Sequence, residues 1–382
     1  MSYVCANVVW EVNGTPVLPP YTIKTMDGVK IAFIGADTKN TPGLQMAKNV
    51  AGVTFTDEAD AVNRYVAVVQ GDGVHAIVVL LHEGGSQSLY EGPTIPAANV
   101  TGSVADIVAR LDGDVDVVLS GHTHAFTNAY IANAGGRAVL VTQAYSYSKG
   151  YADIDLVIDR ASGDIVEKSA QVVPAYADVP PGTTPDPATV AFLAQDETVV
   201  APMTGRVIGV AAADITREQD SAGKSALADL VADAQRSALK TDVAFATTGA
   251  IRADVIKGNV TWGNLYAVQP FSDSLVSMTL TGEQITAALE RQYQTPSPPH
   301  NLAVSGLSYT YDPAQPEGSG VANVSVNGFP LDKEKNYTAA MDVYLAGGGD
   351  SYTVSLHRAR VLRPARSISM RWCHTSGRCP SR

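Results

Sequence analysis

Cysteine is scarce in this chain. Cys5, Cys373 and Cys379 are the three among 382 residues, and none belongs to a C-x-x-C pair. That spacing excludes a zinc ribbon and offers no disulfide framework. Charge is thin as well, at 17% of residues, and the balance is acidic, −11 net. Seven arginines and no acid crowd into residues 357–382, so the remainder is more acidic still. An acidic body argues against binding a nucleic-acid polymer, which requires basic surface. No run of about 18 apolar residues is present, so no membrane span is expected. The opening stretch, MSYVCANVVWEVNG, has neither a basic segment nor a signal-type apolar one, and no signal peptide is expected. It reads like the inside of a folded domain.

What is there is ordinary globular material, 45% apolar, in a length that suits two domains. Short apolar runs alternate with helical periodicity. VKIAFIGAD (29–37) reads as a buried strand, and 57–73 as a helix ending at Gly71 and Gly73. VHAIVVLLHEGG reads as a strand running into His82 and a glycine pair. VADIVARLDGDV (104–115) reads as a second helix, and DVVLSGHTH as the next strand and loop. This alternation predicts a layered α/β domain. The stretch 174–187, rich in Pro and Thr, marks a boundary, and a connecting helix follows it. Residues 225–239 place Leu227, Leu230, Val231, Ala234 and Leu239 on one helical face. DVAFATTGAIRADV reads as strand and loop, VTWGNLYAVQPFSD as loop, and SLVSMTLTGEQITAALERQ as strand and helix.

The chemistry-bearing residues gather at strand ends. His82 follows one apolar strand; His122 and His124 follow another. Loops at the carboxyl ends of strands in layered α/β domains converge on one site, where three imidazoles suit a transition metal. The same histidines are also compatible with ordinary surface or core positions. Arg252 follows the small-residue loop TTGAI and offers a planar fork for phosphate or carboxylate; a solvated surface arginine is the plainer reading. Phe271 and Tyr344 sit in loops where two rings could hold a flat ligand, or simply pack. Asp350 closes a glycine run.

Six segments together resemble the bacterial 5′-nucleotidase family, which includes UDP-sugar hydrolases and 2′,3′-cyclic-nucleotide phosphodiesterases. They are ANVVWEVNGTPVLPPYTIKTMDGVKIAFIGADTKNTP, VVLLHEGG, VDVVLSGHTH, SALADLVADAQ, GAIRADVIKGNVTWGNLYAVQPFSDSLVSMTLTG and VYLAGGGD. The resemblance runs over roughly residues 3–352, in the family's order. It implies an α/β fold: a partial layered metallophosphatase domain of α/β/β/α type (1–185), a linker helix (186–204) and a mixed α/β substrate-binding domain (205–356). Residues 357–382 resemble no part of the family and are expected to be disordered or poorly packed.

By the same resemblance, His82 and His122 match ligands of one metal and His124 a ligand of a second, the pair being zinc, manganese or similar ions. Arg252 matches a phosphate-contacting arginine. Phe271 and Tyr344 match the aromatics that stack on the base, Tyr344 standing where Phe is usual. Asp350 matches the acceptor of ribose hydroxyls. Thr247 and Lys224 stand where Asn and Glu are common. The family's upstream D-x-H pair, bridging Asp and G-N-H segment, with its catalytic His, are absent from this sequence.

The expected function is metal-dependent hydrolysis of a nucleotide or nucleotide-sugar phosphoester in an extracellular, cell-wall or periplasmic setting. The chain itself is expected to be a fragment with little or no activity. Two alternatives stay open. One is a nucleotide-binding module without catalysis. The other is a mononuclear zinc site of His82, His122 and His124, with Glu83 as its base.

Overall fold

A computed structural model describes residues 3–45, 47–96, 99–175, 184–294 and 300–352, and the backbone of 363–367. The chain divides into two compact units, residues 1–42 with 50–185, and 43–49 with 186–382.

The first unit runs β1 (Val8–Trp10), β2 (Tyr21–Met26), β3 (Val29–Asp37), β4 (Val53–Phe55), α1 (Glu58–Gly71), β5 (Ala76–His82), β6 (Ile95–Pro96), α2 (Ser103–Val108), β7 (Val117–Ser120), β8 (Phe126–Ala132), β9 (Ala138–Ala144), β10 (Gly150–Ile158) and β11 (Ile165–Pro174). Seven strands form one sheet in the order β2-β3-β5-β7-β9-β8-β6. Its centre, β3, β5, β7 and β9, is parallel. Parallel strands are covered on both faces, so their sequences are continuous apolar runs. The period-two alternation of β5 divides that run between two layers. Ile77, Val79 and Leu81 pack with Val62, Val66 and Val69 of α1 and with Val104 and Ile107 of α2. Ala76 and Val78 pack on the other side with Ile165 and Ala170 of the antiparallel β10–β11 ribbon.

The helix expected over 104–115 stops early, at Val108. Tertiary hydrogen bonds replace its last turns. Asn63 of α1 donates its Nδ2 to the Arg110 carbonyl at 2.9 Å, and its Oδ1 accepts from the Asp112 amide at 2.8 Å.

The second unit runs α3 (Pro187–Thr204), β12 (Val207–Ala211), α4 (Ala226–Leu239), β13 (Val243–Thr247), β14 (Gly258–Thr261), α5 (Trp262–Val268), β15 (Ser274–Thr281), α6 (Gly282–Arg291), β16 (Leu302–Ser305), β17 (Leu307–Tyr311), β18 (Val321–Val326), β19 (Phe329–Pro330), β20 (Asn336–Asp342), α7 (Val343–Ala346) and β21 (Arg363–Ser367). A mixed five-stranded sheet has the order β16-β13-β20-β15-β21. Leu227, Val231 and Ala234 of α4 bury against Ala246, Leu275 and Ala303 on one face. Ile285 and Leu289 of α6 bury against Phe245, Met278 and Leu280 on the other. Each fully buried side chain of this size contributes about 1.5–3 kcal/mol.

A second expectation is corrected as well. The stretch 260–273, read as loop, contains the end of β14 and the helix α5. A reciprocal cap starts that helix: Thr261 Oγ1 accepts from the Asn264 amide at 3.2 Å, and Asn264 Oδ1 accepts from the Thr261 amide at 2.8 Å. Asn at the third position departs from the usual Glu or Gln, which hides the signal. The terminal segment was expected to be disordered or poorly packed; within it, 363–367 pair antiparallel with β15. An open sheet edge offers unpaired backbone groups to any extended segment. The remainder of 357–382 lies outside the described residues, as does most of the 174–187 boundary stretch. Among the described residues no helix is long and apolar enough to cross a membrane.

Candidate functional site

In the first unit the parallel register sets the geometry. Asp37 and His82 are direct neighbours at the ends of β3 and β5, and Ser120 at the end of β7 lies opposite Leu81. The loops after β5 and β7 are stitched together. A Cβ on Gly84 would stand 2.2 Å from the Gly121 carbonyl oxygen, so only glycine allows this approach. The Gly121 amide donates to the Glu83 carbonyl at 3.2 Å, and Thr123 Oγ1 donates to the Gly85 carbonyl at 2.8 Å. The buried Gln143 side chain donates to Thr123 Oγ1 and to the Ala125 carbonyl, both at 2.8 Å. Sequence reasoning missed Gln143, which carries no motif.

This stitching brings His82 and His122 together. His122 Nδ1 lies 3.4 Å from His82 Nε2, with the rings edge to face. Two nitrogens on one tetrahedral zinc stand about 3.4 Å apart, since each bond is about 2.0–2.1 Å. The pair therefore matches one edge of a metal's coordination shell. His124 lies apart in its contacts, with its ring edge-on to Tyr147, centroids 5.3 Å apart. Glu83 is buried and accepts from the Gly84 amide at 2.9 Å. Among the described residues there is no group of three or more His, Cys, Asp or Glu side chains placed to hold a metal. These residues fit two donors to one ion and do not complete a two-metal centre.

A cavity of about 530 Å³ opens at the same strand ends, lined by Cys5, Asp37, His82, Ser120 and apolar side chains. Asp37 is braced on this rim. Its amide donates to Asn7 Oδ1 at 2.8 Å, and Asn7 Nδ2 donates to the Asp37 carbonyl at 2.6 Å. Its carboxylate accepts from the Thr38 amide at 2.9 Å and from Thr41 Oγ1 at 3.2 Å. The sequence signal for Asp37 was only its place at a strand end.

In the second unit the loop after β13 presents Arg252. Its backbone is clamped from both sides: the amide donates to the Val268 carbonyl at 2.8 Å, and the carbonyl accepts from Arg217 Nη1 at 2.9 Å. The guanidinium lies over the half-exposed Phe271 ring, 5.1 Å from its centre. Its Nε is buried without a hydrogen-bond partner. Thr247 is buried at the end of β13, and Lys224 is exposed, its Nζ 4.0 Å from Asp229 Oδ2.

Tyr344 and Asp350 form a second cluster. Tyr344 Oη donates to Asp350 Oδ1 at 2.7 Å and accepts from the Asp350 amide at 3.1 Å. Burial and the adjacent Asp350 carboxylate hold the Tyr344 hydroxyl well above the usual phenol range, so it stays a donor. The Tyr344 side chain thus offers more than a ring face, because its hydroxyl fixes one oxygen of Asp350. Asp342, at the N-terminus of α7, accepts from the Leu345 amide at 2.7 Å. Burial pushes its carboxyl up to about 7; that hydrogen bond works against the rise, and Asp273 and Asp350 add to it. A separate groove of about 930 Å³ runs along β16, with Lys224, Asp229, Thr248, Tyr293 and Asn301 in its lining. Neither Arg252 nor Phe271 lines that groove.

Comparison with known proteins accords with this arrangement. Residues 204–357 match the family described as 5′-nucleotidase, C-terminal domain. The chain is 33% identical to the endonuclease YhcR of Bacillus subtilis over 90% of its own length and 27% of that protein's. It is 31% identical to the cell wall protein Lmo0130 of Listeria monocytogenes, covering 92% of this chain and 47% of that one. The chain thus spans about a quarter to a half of these curated relatives. The crystal structure of a 5′-nucleotidase precursor from Thermus thermophilus superposes with a TM-score of 0.80 at 26% identity, covering 98% of this chain and 75% of that one. Residues 204–357 belong to the 5′-nucleotidase C-terminal domain family, and the chain as a whole, with its layered α/β first unit and mixed α/β second unit, is similar to the Thermus 5′-nucleotidase precursor.

Proposed function

We propose that the chain acts in metal-dependent hydrolysis of nucleotide phosphoesters at the cell surface. Its second unit takes up a nucleotide or nucleotide-sugar through Arg252, Phe271, Tyr344 and Asp350. Its first unit offers His82 and His122 to a divalent ion. The observation that carries this reading is the 3.4 Å spacing of His82 and His122 at the ends of adjacent parallel strands. The surface setting draws its support from the cell wall relative.

A two-metal hydrolase uses its ions to activate water and to stabilise the attacking and leaving oxygens. The described donors fall short of such a pair, so the chain alone is expected to turn over slowly. The test is phosphate release from AMP by the purified chain with added manganese or zinc. Release at less than a tenth of the rate of the Thermus relative is expected; release within tenfold of it overturns the expectation of low activity.

Capture of a nucleoside without turnover is the second reading. The clamped backbone of Arg252 and the Tyr344–Asp350 pair favour it, since both are built within the second unit. Calorimetry with AMP tests it, and the absence of any binding heat rejects it.

A further inference from the structure

His300 has no part in the residues considered so far. It stands just before β16, whose pairing with β13 sets Leu302 opposite Thr247. That register carries the imidazole to the loop that presents Arg252. A Cβ on Gly249 would stand 2.4 Å from His300 Nδ1 and 2.5 Å from two ring carbons, so the ring lies directly on the Gly249 backbone. His300 Nδ1 also lies 3.3 Å from Asp350 Oδ2. The alignment falls short of a hydrogen bond, and Asp350 Oδ2 is buried with no other hydrogen-bond partner. Asp350 itself is 2% exposed.

The segment around His300 is braced at several points. The buried Tyr352 donates its hydroxyl to the His300 carbonyl at 2.9 Å. The Thr248 amide donates to the Asn301 carbonyl at 2.9 Å. The His300 side chain is 37% exposed, so one part of the ring reaches solvent while Nδ1 faces the carboxylate.

Asp350 therefore has two differently held oxygens. Oδ1 already accepts the Tyr344 hydroxyl. Oδ2 is a desolvated acceptor approached by one imidazole and free to take a stronger donor. A buried carboxylate oxygen left short of donors gains more from a new hydrogen bond than an exposed one does. A vicinal diol, such as a ribose carries, supplies such donors.

We propose that His300 is a positioning residue of the nucleoside pocket: resting on Gly249 and facing Asp350 Oδ2, it fixes the carboxylate for capture of a ribose diol. This deepens the nucleotide-binding reading and rests on it. Because His300 acts through Asp350, its removal affects ligands that carry the diol and spares those that lack it.

The test is calorimetry of the full chain with adenosine and with 2′,3′-dideoxyadenosine. His300→Ala weakens adenosine about tenfold, the scale of one hydrogen bond to a charged group, and leaves dideoxyadenosine unchanged. His300→Asn, which keeps a short donor, restores part of the adenosine affinity and carries the test where the alanine variant fails to fold. Equal losses for both ligands in either variant, or none for either, overturn the proposal. Asp350→Ala separates the two levels. If it weakens adenosine selectively while His300→Ala is silent, nucleoside binding stands and the role of His300 falls. If the unmutated chain takes up neither ligand, both fall.

Discussion

The guanidinium carbon of Arg252 lies 5.1 Å from the centre of the Phe271 ring. The cation thus covers a ring that is itself 52% exposed, and each group holds the other in place. At an exposed site this contact is worth about 0.5–1 kcal/mol. A nucleotide that uses both groups would meet its phosphate at the guanidinium and its base at the ring. Arg252→Ala is then expected to weaken AMP by roughly tenfold or more, as loss of a charge-assisted bond implies, while adenosine changes little. Phe271→Ala weakens both. Calorimetry with the two ligands checks the split, and equal losses for AMP and adenosine in Arg252→Ala would remove Arg252 from phosphate recognition.

Metal uptake separates the three strand-end histidines. Zinc in equilibrium dialysis is expected at about one ion per chain, held by the His82–His122 edge. Both His82→Ala and His122→Ala abolish it. His124→Ala retains it, since the His82–His122 edge does not include that ring. Zinc that survives His122→Ala, or that disappears with His124→Ala, contradicts this assignment.

Stability of the second unit is expected to fall as pH rises. The folded chain holds the Asp342 proton up to about pH 7, against 3.8 for an unperturbed carboxyl. Between those values the unfolded chain has released the proton and the folded chain has not. Stability is therefore fullest below about pH 4, declines toward pH 7, and is level above that. The slope approaches about 1.4 kcal/mol per pH unit in mid-window. Asp342→Asn keeps the oxygen that caps α7 and removes the titration. Thermal melts from pH 4 to 8 should flatten in that variant and rise at pH 8; an unchanged profile would refute the assignment.

Asp57 carries a different kind of stability. Its carboxylate accepts from the Ala59 amide at 3.1 Å and the Asp60 amide at 3.3 Å at the start of α1. It also pairs with Lys39 and Arg110, each at 2.9 Å. Partial burial alone would push its carboxyl up, but the bonds from Arg110 and Lys39 outweigh that and hold it well below the usual carboxylate range. A depressed carboxyl stabilises at neutral pH and loses that contribution on acidification. Asp57→Ala should cost about 1 kcal/mol, the usual worth of such a cap. A urea midpoint lowered at unchanged slope is the expected reading, and an unmoved midpoint would show the cap to be idle.

Much of the fold was legible because it rests on local periodicity. The apolar runs of β3, β5 and β7, and the striped face of α4, each state their burial along the chain. His82, His122 and His124 stood out as short motifs after apolar strands, whereas Tyr344, read as a loop residue, lies in α7. Less visible were elements whose ends depend on distant partners. The early stop of α2 is set by Asn63, 47 residues from Arg110, and α5 hid behind an unusual cap.

By itself the sequence determined the main apolar strands, the striped face of α4 and the placement of histidine, arginine and aromatic residues along the chain. Side-chain period and residue type are properties of the chain alone. Only the tertiary structure decided which of those groups meet. His82 and His122 face one another because Gly84 lets two backbones touch, and His124 turns to Tyr147 instead. Tyr344 and His300 divide the two oxygens of Asp350 because an antiparallel register brings residue 300 beside residue 249. Such contacts join positions far apart in the chain, and their existence depends on packing and register that no local pattern records.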